Sequence, residues 1–158
     1  MSYTFITPQD KADFIFINEC LLKKDFMSNI SENPSENSFI LIIKFKKKNI
    51  GIFIPSIHTI TNIKYSRPCI YILEKYRNNT SISLCKAMEY LFETENVARV
   101  IIQVYSHNIL MINCMNNLNI TFRGTISNVK TYNNSHSSIH FYDIGHRKYQ
   151  ELRRFFSG

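Results

Sequence analysis

The segment Arg77-Asn78-Asn79-Thr80-Ser81 sets a guanidinium, two amides and two hydroxyls side by side. It joins the apolar run Cys69-Ile70-Tyr71-Ile72-Leu73 to Ile82–Phe92, whose apolar residues recur at helical spacing. A strand feeding a polar loop and then a helix can hold a phosphate. The first N–H groups of a helix lack internal partners, and the helix dipole favours an anion there. Arg77 adds a charged donor, and Thr80 and Ser81 add hydroxyls. A second group, Tyr105, His107 and Asn108, follows the β-branched run Val97–Val104. Histidine exchanges protons near neutral pH, and tyrosine can act in acid–base chemistry. Asn108 has the side chain of a helix cap. His136 and His140 have the spacing of one strand face, but two histidines without a carboxylate or thiol are too few for a metal site. Glu74 and Glu89 are further carboxylates, expected to face solvent. Each group also has a structural reading: a capped strand–helix loop, a packed tyrosine, a surface histidine.

The elements that position these residues follow from periodicity. Ser2–Thr7 reads as a first strand. Pro8-Gln9-Asp10 opens a helix that runs to Leu22, with Thr7 as its cap and Phe14, Ile17, Cys20 and Leu21 on its apolar face. Ser28–Asn37 is a polar loop. Phe39–Phe45 and Ile50–Ile57 form a hairpin through Lys46–Asn49. Thr59–Arg67 reads as a loop, and Pro68 starts the strand that ends at Leu73. Ile82, Cys85, Met88, Leu91 and Phe92 share one helical face. Val97–Val104 is a strand covered on both faces. Asn108 begins a helix with Met111, Cys114, Met115 and Leu118 on one side. Ile120–Val129 and Ser138–Ile144 are strands joined by the turn Tyr132–Ser137, and His146–Phe156 is a terminal helix. Antiparallel strands followed by a strand–helix–strand crossover predict a mixed α/β sheet in one domain, residues 1–158.

Bulk composition removes several classes. With 158 residues and 44% hydrophobic content, the chain can bury a core. No apolar stretch has membrane-spanning length, and the N-terminus lacks a secretory pattern, which predicts a cytoplasmic protein. Cys20, Cys69, Cys85 and Cys114 are scattered among apolar residues and read as buried free thiols. A net charge of +7 steers anionic ligands without choosing among them. Much of it is local, in Lys44, Lys46, Lys47 and Lys48 and in Arg147, Lys148, Arg153 and Arg154. No aromatic-and-basic motif of a nucleic-acid binder accompanies it.

From Ile70 to Gly124 the chain resembles the GNAT superfamily of acyl-CoA N-acyltransferases. The likeness is nearest to the branch that acetylates ribosomal-protein N-termini and nucleotide-sugar amines, and it extends from about Phe39 to Tyr149. The family core runs strand, Arg/Gln-x-x-Gly-x-Gly/Ala loop, helix, strand, asparagine, helix, then a Gly-Phe-x-x-Glu-Gly turn. Here the loop is Arg77-Asn78-Asn79-Thr80-Ser81-Ile82, the asparagine is Asn108, and the turn is Asn119-Ile120-Thr121-Phe122-Arg123-Gly124. Thr80 stands where the family prefers glycine and Ile82 where it prefers glycine or alanine. Asn119 replaces the first glycine of the turn, and Met115 a frequent tyrosine. Left-handed geometry at Asn79 would offset the missing glycine.

The resemblance implies a sheet with helices on both faces and a splayed pair of parallel central strands. It implies acetyl-CoA as acyl donor, no metal, and direct transfer to a primary amine on a small molecule, sugar nucleotide or protein. Ile72 and Leu73 would pair with the pantetheine arm, and Arg77–Ile82 with Asn108 would hold the coenzyme. Tyr105 and His107 would lie at the reaction centre. A homodimer is compatible with it. A GNAT-like module that binds a ligand or partner without transfer is the alternative.

Overall fold

The computed structural model describes residues 3–28, 39–130 and 135–157. Strands β1 (Tyr3–Ile6), β2 (Leu41–Phe45), β3 (Lys48–Ile54) and β6 (Cys69–Ile72) form one antiparallel sheet in the order β1-β2-β3-β6. Strands β4 (Ile57–Ile60), β5 (Ile63–Ser66), β7 (Arg99–Tyr105), β9 (His136–Gly145) and β8 (Thr121–Lys130) form a second, in the order β4-β5-β7-β9-β8. Among the described residues, β5 and β7 form the one parallel pair. The mixed α/β architecture expected from the sequence is present.

Helices cover both faces of the first sheet. Helices α1 (Lys11–Leu21) and α2 (Lys24–Ser28) bury Ile17, Cys20 and Phe26 against Ile42, Ile52, Ile54 and Tyr71. The other face meets α3 (Thr80–Glu89) and α4 (Ile109–Asn117) in the main core. Leu84, Met88 and Leu91 pack there with Val100, Val104, Met115 and Ile144, all at most 1% exposed. Burying each such side chain stabilises the fold by roughly 1.5–3 kcal/mol. Helix α5 (His146–Ser157) docks through Tyr149 and Leu152; the Tyr149 ring stacks on Phe92 and its hydroxyl donates to Glu93 Oε1 at 2.8 Å.

Several expected boundaries move. The first helix begins at Lys11, because Asp10 Oδ1 caps it by accepting from the Asp13 N–H at 2.9 Å; Thr7 does not cap it. Phe14, assigned to its buried face, is exposed. The turn between β2 and β3 is Lys46–Lys47, both with positive φ, the primed geometry that matches strand twist. Thr59–Arg67 is not a loop. It contains the end of β4, a Thr61–Asn62 turn with both φ positive, and β5. Ser137 and Ser138 belong to β9. Most of the Ser28–Asn37 loop, and residues 132–134 of the Tyr132–Ser137 turn, lie outside the described residues.

Candidate active site

Two prolines open the sheet. Chain segments β3–β4 and β5–β6 form one long hairpin that is interrupted at the same level on both arms, at Pro55-Ser56 and Arg67-Pro68. Proline has no N–H for a ladder. The break is sealed locally: the Arg67 N–H donates to the Ser56 carbonyl at 3.1 Å, and the buried Ser66 hydroxyl donates to the Pro55 carbonyl. Before the break, β5 pairs with β7 through Tyr65–Arg99 and Ser66–Val100. After it, β6 stays with β3, and β7 continues in the other sheet with β9. The ends of β6 and β7 therefore splay, leaving the outer edge of β6 facing the gap.

Ile72 lies at that edge. The Leu73 N–H donates to the Ile50 carbonyl at 2.8 Å, so Leu73 faces β3. Strand groups alternate sides, so the N–H and C=O of Ile72 point outward, towards the gap. The Ile72 carbonyl accepts from Arg77 Nε at 2.6 Å. Leu73 spends its carbonyl on the Tyr76 N–H at 2.8 Å. Of the two residues expected to pair with pantetheine, Ile72 turns its backbone towards the gap and Leu73 turns its N–H towards β3. The close packing of β6 on β3 depends on Gly51: a Cβ built there would lie 2.0 Å from the Tyr71 carbonyl oxygen.

The phosphate loop is not a loop. Glu74–Asn79 is a 3-10 helix that runs directly into α3 at Thr80. Its N–H groups bond three residues back, as Tyr76 to Leu73 and Thr80 to Arg77 show. Donors of the 3-10 helix and of Thr80, expected to be orphans, are thus consumed internally. Asn79 has φ −91°, not the left-handed geometry that would turn the chain. Side chains follow suit. Thr80 Oγ1 donates to the Arg77 carbonyl at 2.7 Å, and Ser81 Oγ lies 3.3 Å from Cys114 Sγ on α4. Asn79 accepts from the Tyr3 hydroxyl, and its Nδ2 donates to Tyr76 O at 3.2 Å. Asn78 is exposed, and Ile82 is half-buried on α3.

Arg77 is held away from this helix end. Its Nη2 pairs with Asp25 of α2, and its guanidinium carbon sits 5.7 Å from the centre of the Tyr71 ring. Asp25 also accepts from the Tyr71 hydroxyl at 2.8 Å and from the Phe26 N–H at 3.1 Å. Burial raises the Asp25 pKa, but these donors outweigh it and hold the carboxyl below its ordinary value. Asp25 and Tyr71 are functional candidates that local sequence reading missed: no motif links them, and Asp25 is 52 positions from Arg77. With Lys24, Leu73 and Glu74 they wall a cleft of about 690 Å³ between α2 and the end of β6.

The second group assembles where β7 ends. Tyr105 is buried, and burial pushes its pKa up, so it stays a protonated hydroxyl at neutral pH. The exposed His107 ring stacks on Tyr105, centroids 5.2 Å apart, and its Nδ1 lies 3.2 Å from Ser137 Oγ. Ser137 Oγ is 2.8 Å from Ser106 Oγ, tying the end of β7 to β9. Asn108 caps α4 through Oδ1, accepting from the Met111 N–H at 3.3 Å. Met115 is fully buried and offers no proton. His140 Nδ1 pairs with Thr125 Oγ1 at 2.8 Å, and no group of three metal-binding side chains occurs among the described residues.

The cysteines are poor nucleophiles. Burial pushes Cys20, Cys69 and Cys85 up to about 12 and raises Cys114 as well. They are free thiols, as expected, buried at Cys20 and Cys114 but half-buried at Cys69 and Cys85.

No family sequence model matches the chain, and no curated protein matches it by sequence. Solved structures do match by fold. Spermidine N-acetyltransferase from Vibrio cholerae, in complex with CoA and spermine, superposes with a TM-score of 0.77 at 16% identity, covering 94% of this chain and 98% of that one. A GNAT-family acetyltransferase from Bacillus anthracis superposes with a TM-score of 0.71 at 16% identity, covering 90% and 94%. The fold is that of the GNAT acetyltransferases.

Proposed function

We propose that the chain is an acetyl-CoA-dependent N-acetyltransferase that acts by direct transfer to a primary amine. The observation that carries this reading is the splay of β6 from β7, with Ile72 turned towards the gap. The Vibrio structure of the same fold contains CoA, which supports coenzyme A as the ligand. Ile72 would pair with the pantetheine arm through its N–H, and Asn78, Ser81, Ile82 and Asn108 would hold the coenzyme's pyrophosphate. The amine nitrogen attacks the thioester carbonyl, the C–S bond breaks, and coenzyme A leaves as a thiolate. Tyr105 supplies the proton the thiolate takes up, and His107 accepts the proton the amine loses. Positioning and carbonyl polarisation contribute most of the rate. No acyl-cysteine is needed, in keeping with the protonated thiols. The protein works in the cytoplasm, without metal, as a monomer or homodimer. Its acceptor belongs with those of the ribosomal-protein and nucleotide-sugar branch.

A second reading, a module that binds without transfer, is favoured by the 3-10 helix at Glu74–Asn79 and by the Arg77–Asp25 pair. Both remove donors that a pyrophosphate would use. Turnover separates the two. Thiol release from acetyl-CoA in the presence of amines supports transfer, with His107→Ala lowering kcat by about 10²-fold or more at neutral pH. Coenzyme binding without thiol release across sugar-nucleotide, small-molecule and peptide amines supports the module.

A further inference from the structure

We propose that the cleft between α2 and the end of β6 binds a primary amine that also carries an anionic oxygen group, phosphate or carboxylate, and that this compound is the acetyl acceptor. The proposal rests on the transfer reading above. The cleft measures about 690 Å³, a volume typical of small-molecule sites. One of its walls is Leu73, the residue after the end of β6. The backbone of its neighbour Ile72 faces the gap at the outer edge of the same strand end. An acceptor whose amine reaches past Leu73 would enter the gap beside Ile72.

The charges around the cleft select the acceptor. Arg77 and Asp25 neutralise each other in its wall, and the Tyr71 hydroxyl is committed to Asp25. That leaves the ammonium groups of Lys23 and Lys24, that of Lys75, whose Nζ lies 5.0 Å from the centre of the Tyr76 ring, and the carboxylate of Glu74. Among the described residues no carboxylate pairs with any of these lysines, and no cation pairs with Glu74. All four residues are exposed, so their charges reach a ligand through water-accessible space. A polycation meets net repulsion in this arrangement, and an amine without an anionic group leaves the lysines unmatched. A ligand with an ammonium for Glu74 and an oxyanion for the lysines complements both signs. This acceptor class differs from the spermine bound in the Vibrio structure.

The test uses the full chain without coenzyme, titrated calorimetrically with phosphoethanolamine, β-alanine, ethanolamine, inorganic phosphate and spermidine. Phosphoethanolamine or β-alanine is expected to bind about tenfold or more tighter than ethanolamine, with affinity falling as salt rises. The two anionic arms separate phosphate from carboxylate. The double variant Lys24→Ala/Lys75→Ala is expected to lose that advantage with an unchanged circular dichroism spectrum. Glu74→Gln is expected to weaken phosphoethanolamine but not inorganic phosphate. Ethanolamine or spermidine binding as tightly as the anionic amines overturns the proposal, as does an unchanged affinity in the lysine variant. Because coenzyme is absent, this result stands apart from any failure to bind acetyl-CoA. Adding acetyl-CoA tests the acceptor role: faster thiol release with the preferred anionic amine than with ethanolamine supports it, and the reverse order overturns it.

Discussion

Asn119 does the conformational work of a glycine. Its φ is +53°, and it ends α4 with its N–H on the Asn116 carbonyl at 3.0 Å and the Ile120 N–H on the Met115 carbonyl at 3.0 Å. Asparagine tolerates this region better than other side chains do. Replacing Asn119 by Gly should leave stability within a few tenths of a kcal/mol, and Asn119→Ala should cost about 1 kcal/mol, read by urea denaturation. Asp143 gives a second residue-scale expectation. Its side chain is 11% exposed and pairs with Arg99 and Arg123. Burial raises its pKa, but the two guanidiniums outweigh this and hold it below the ordinary carboxylate value. A depressed folded-state pKa stabilises above the unfolded pKa, near 4, and that stability is lost as pH falls through the folded value. Asp143→Asn should therefore cost about 1 kcal/mol at pH 7 and flatten the loss of stability below about pH 4, measured by unfolding across pH. Residue types were legible in the sequence at these sites, but partners were not. Nothing local in Arg77 points to Asp25, and its obvious reading as a phosphate ligand ignores that pairing.

At the scale of elements, the hairpins, the two crossover helices and the terminal helix follow from periodicity. The hidden element was the β4–β5 hairpin, whose strands are four residues each and rich in polar groups. Pro55 and Pro68 were visible, but only their alignment across the hairpin turns two ordinary breakers into a split sheet. The Glu74–Asn79 helix was hidden for the opposite reason. A spacing that matches a loop says nothing about backbone geometry once the loop lacks glycine, and with Thr80 and Ile82 in place of small residues this segment stays right-handed helical. Gly51 shows where a small residue does matter. Gly51→Ala must push β3 from β6, and it should destabilise by about 1–3 kcal/mol and lower any coenzyme affinity that depends on Ile72. Thermal unfolding and coenzyme titration of the variant check the two effects separately.

The whole molecule is a pair of sheets joined by one kinked hairpin, with helices clasping the first sheet. No helix among the described residues is long and apolar enough to cross a membrane. The gap at the outer edge of β6 and the cleft beside α2 share the end of that strand, where Leu73 lines the cleft and the Ile72 backbone faces the gap. That arrangement could not be read from the +7 charge alone, because the charge does not say which lysines face a cavity. The central claim is that the gap takes acetyl-CoA along β6. It is tested most directly by titrating acetyl-CoA while following hydrogen exchange residue by residue. The account predicts saturable binding below about 1 mM, with slowed exchange at the outward-facing Ile72 amide. No binding at about millimolar acetyl-CoA, or binding that leaves the Ile72 amide unprotected, would contradict it.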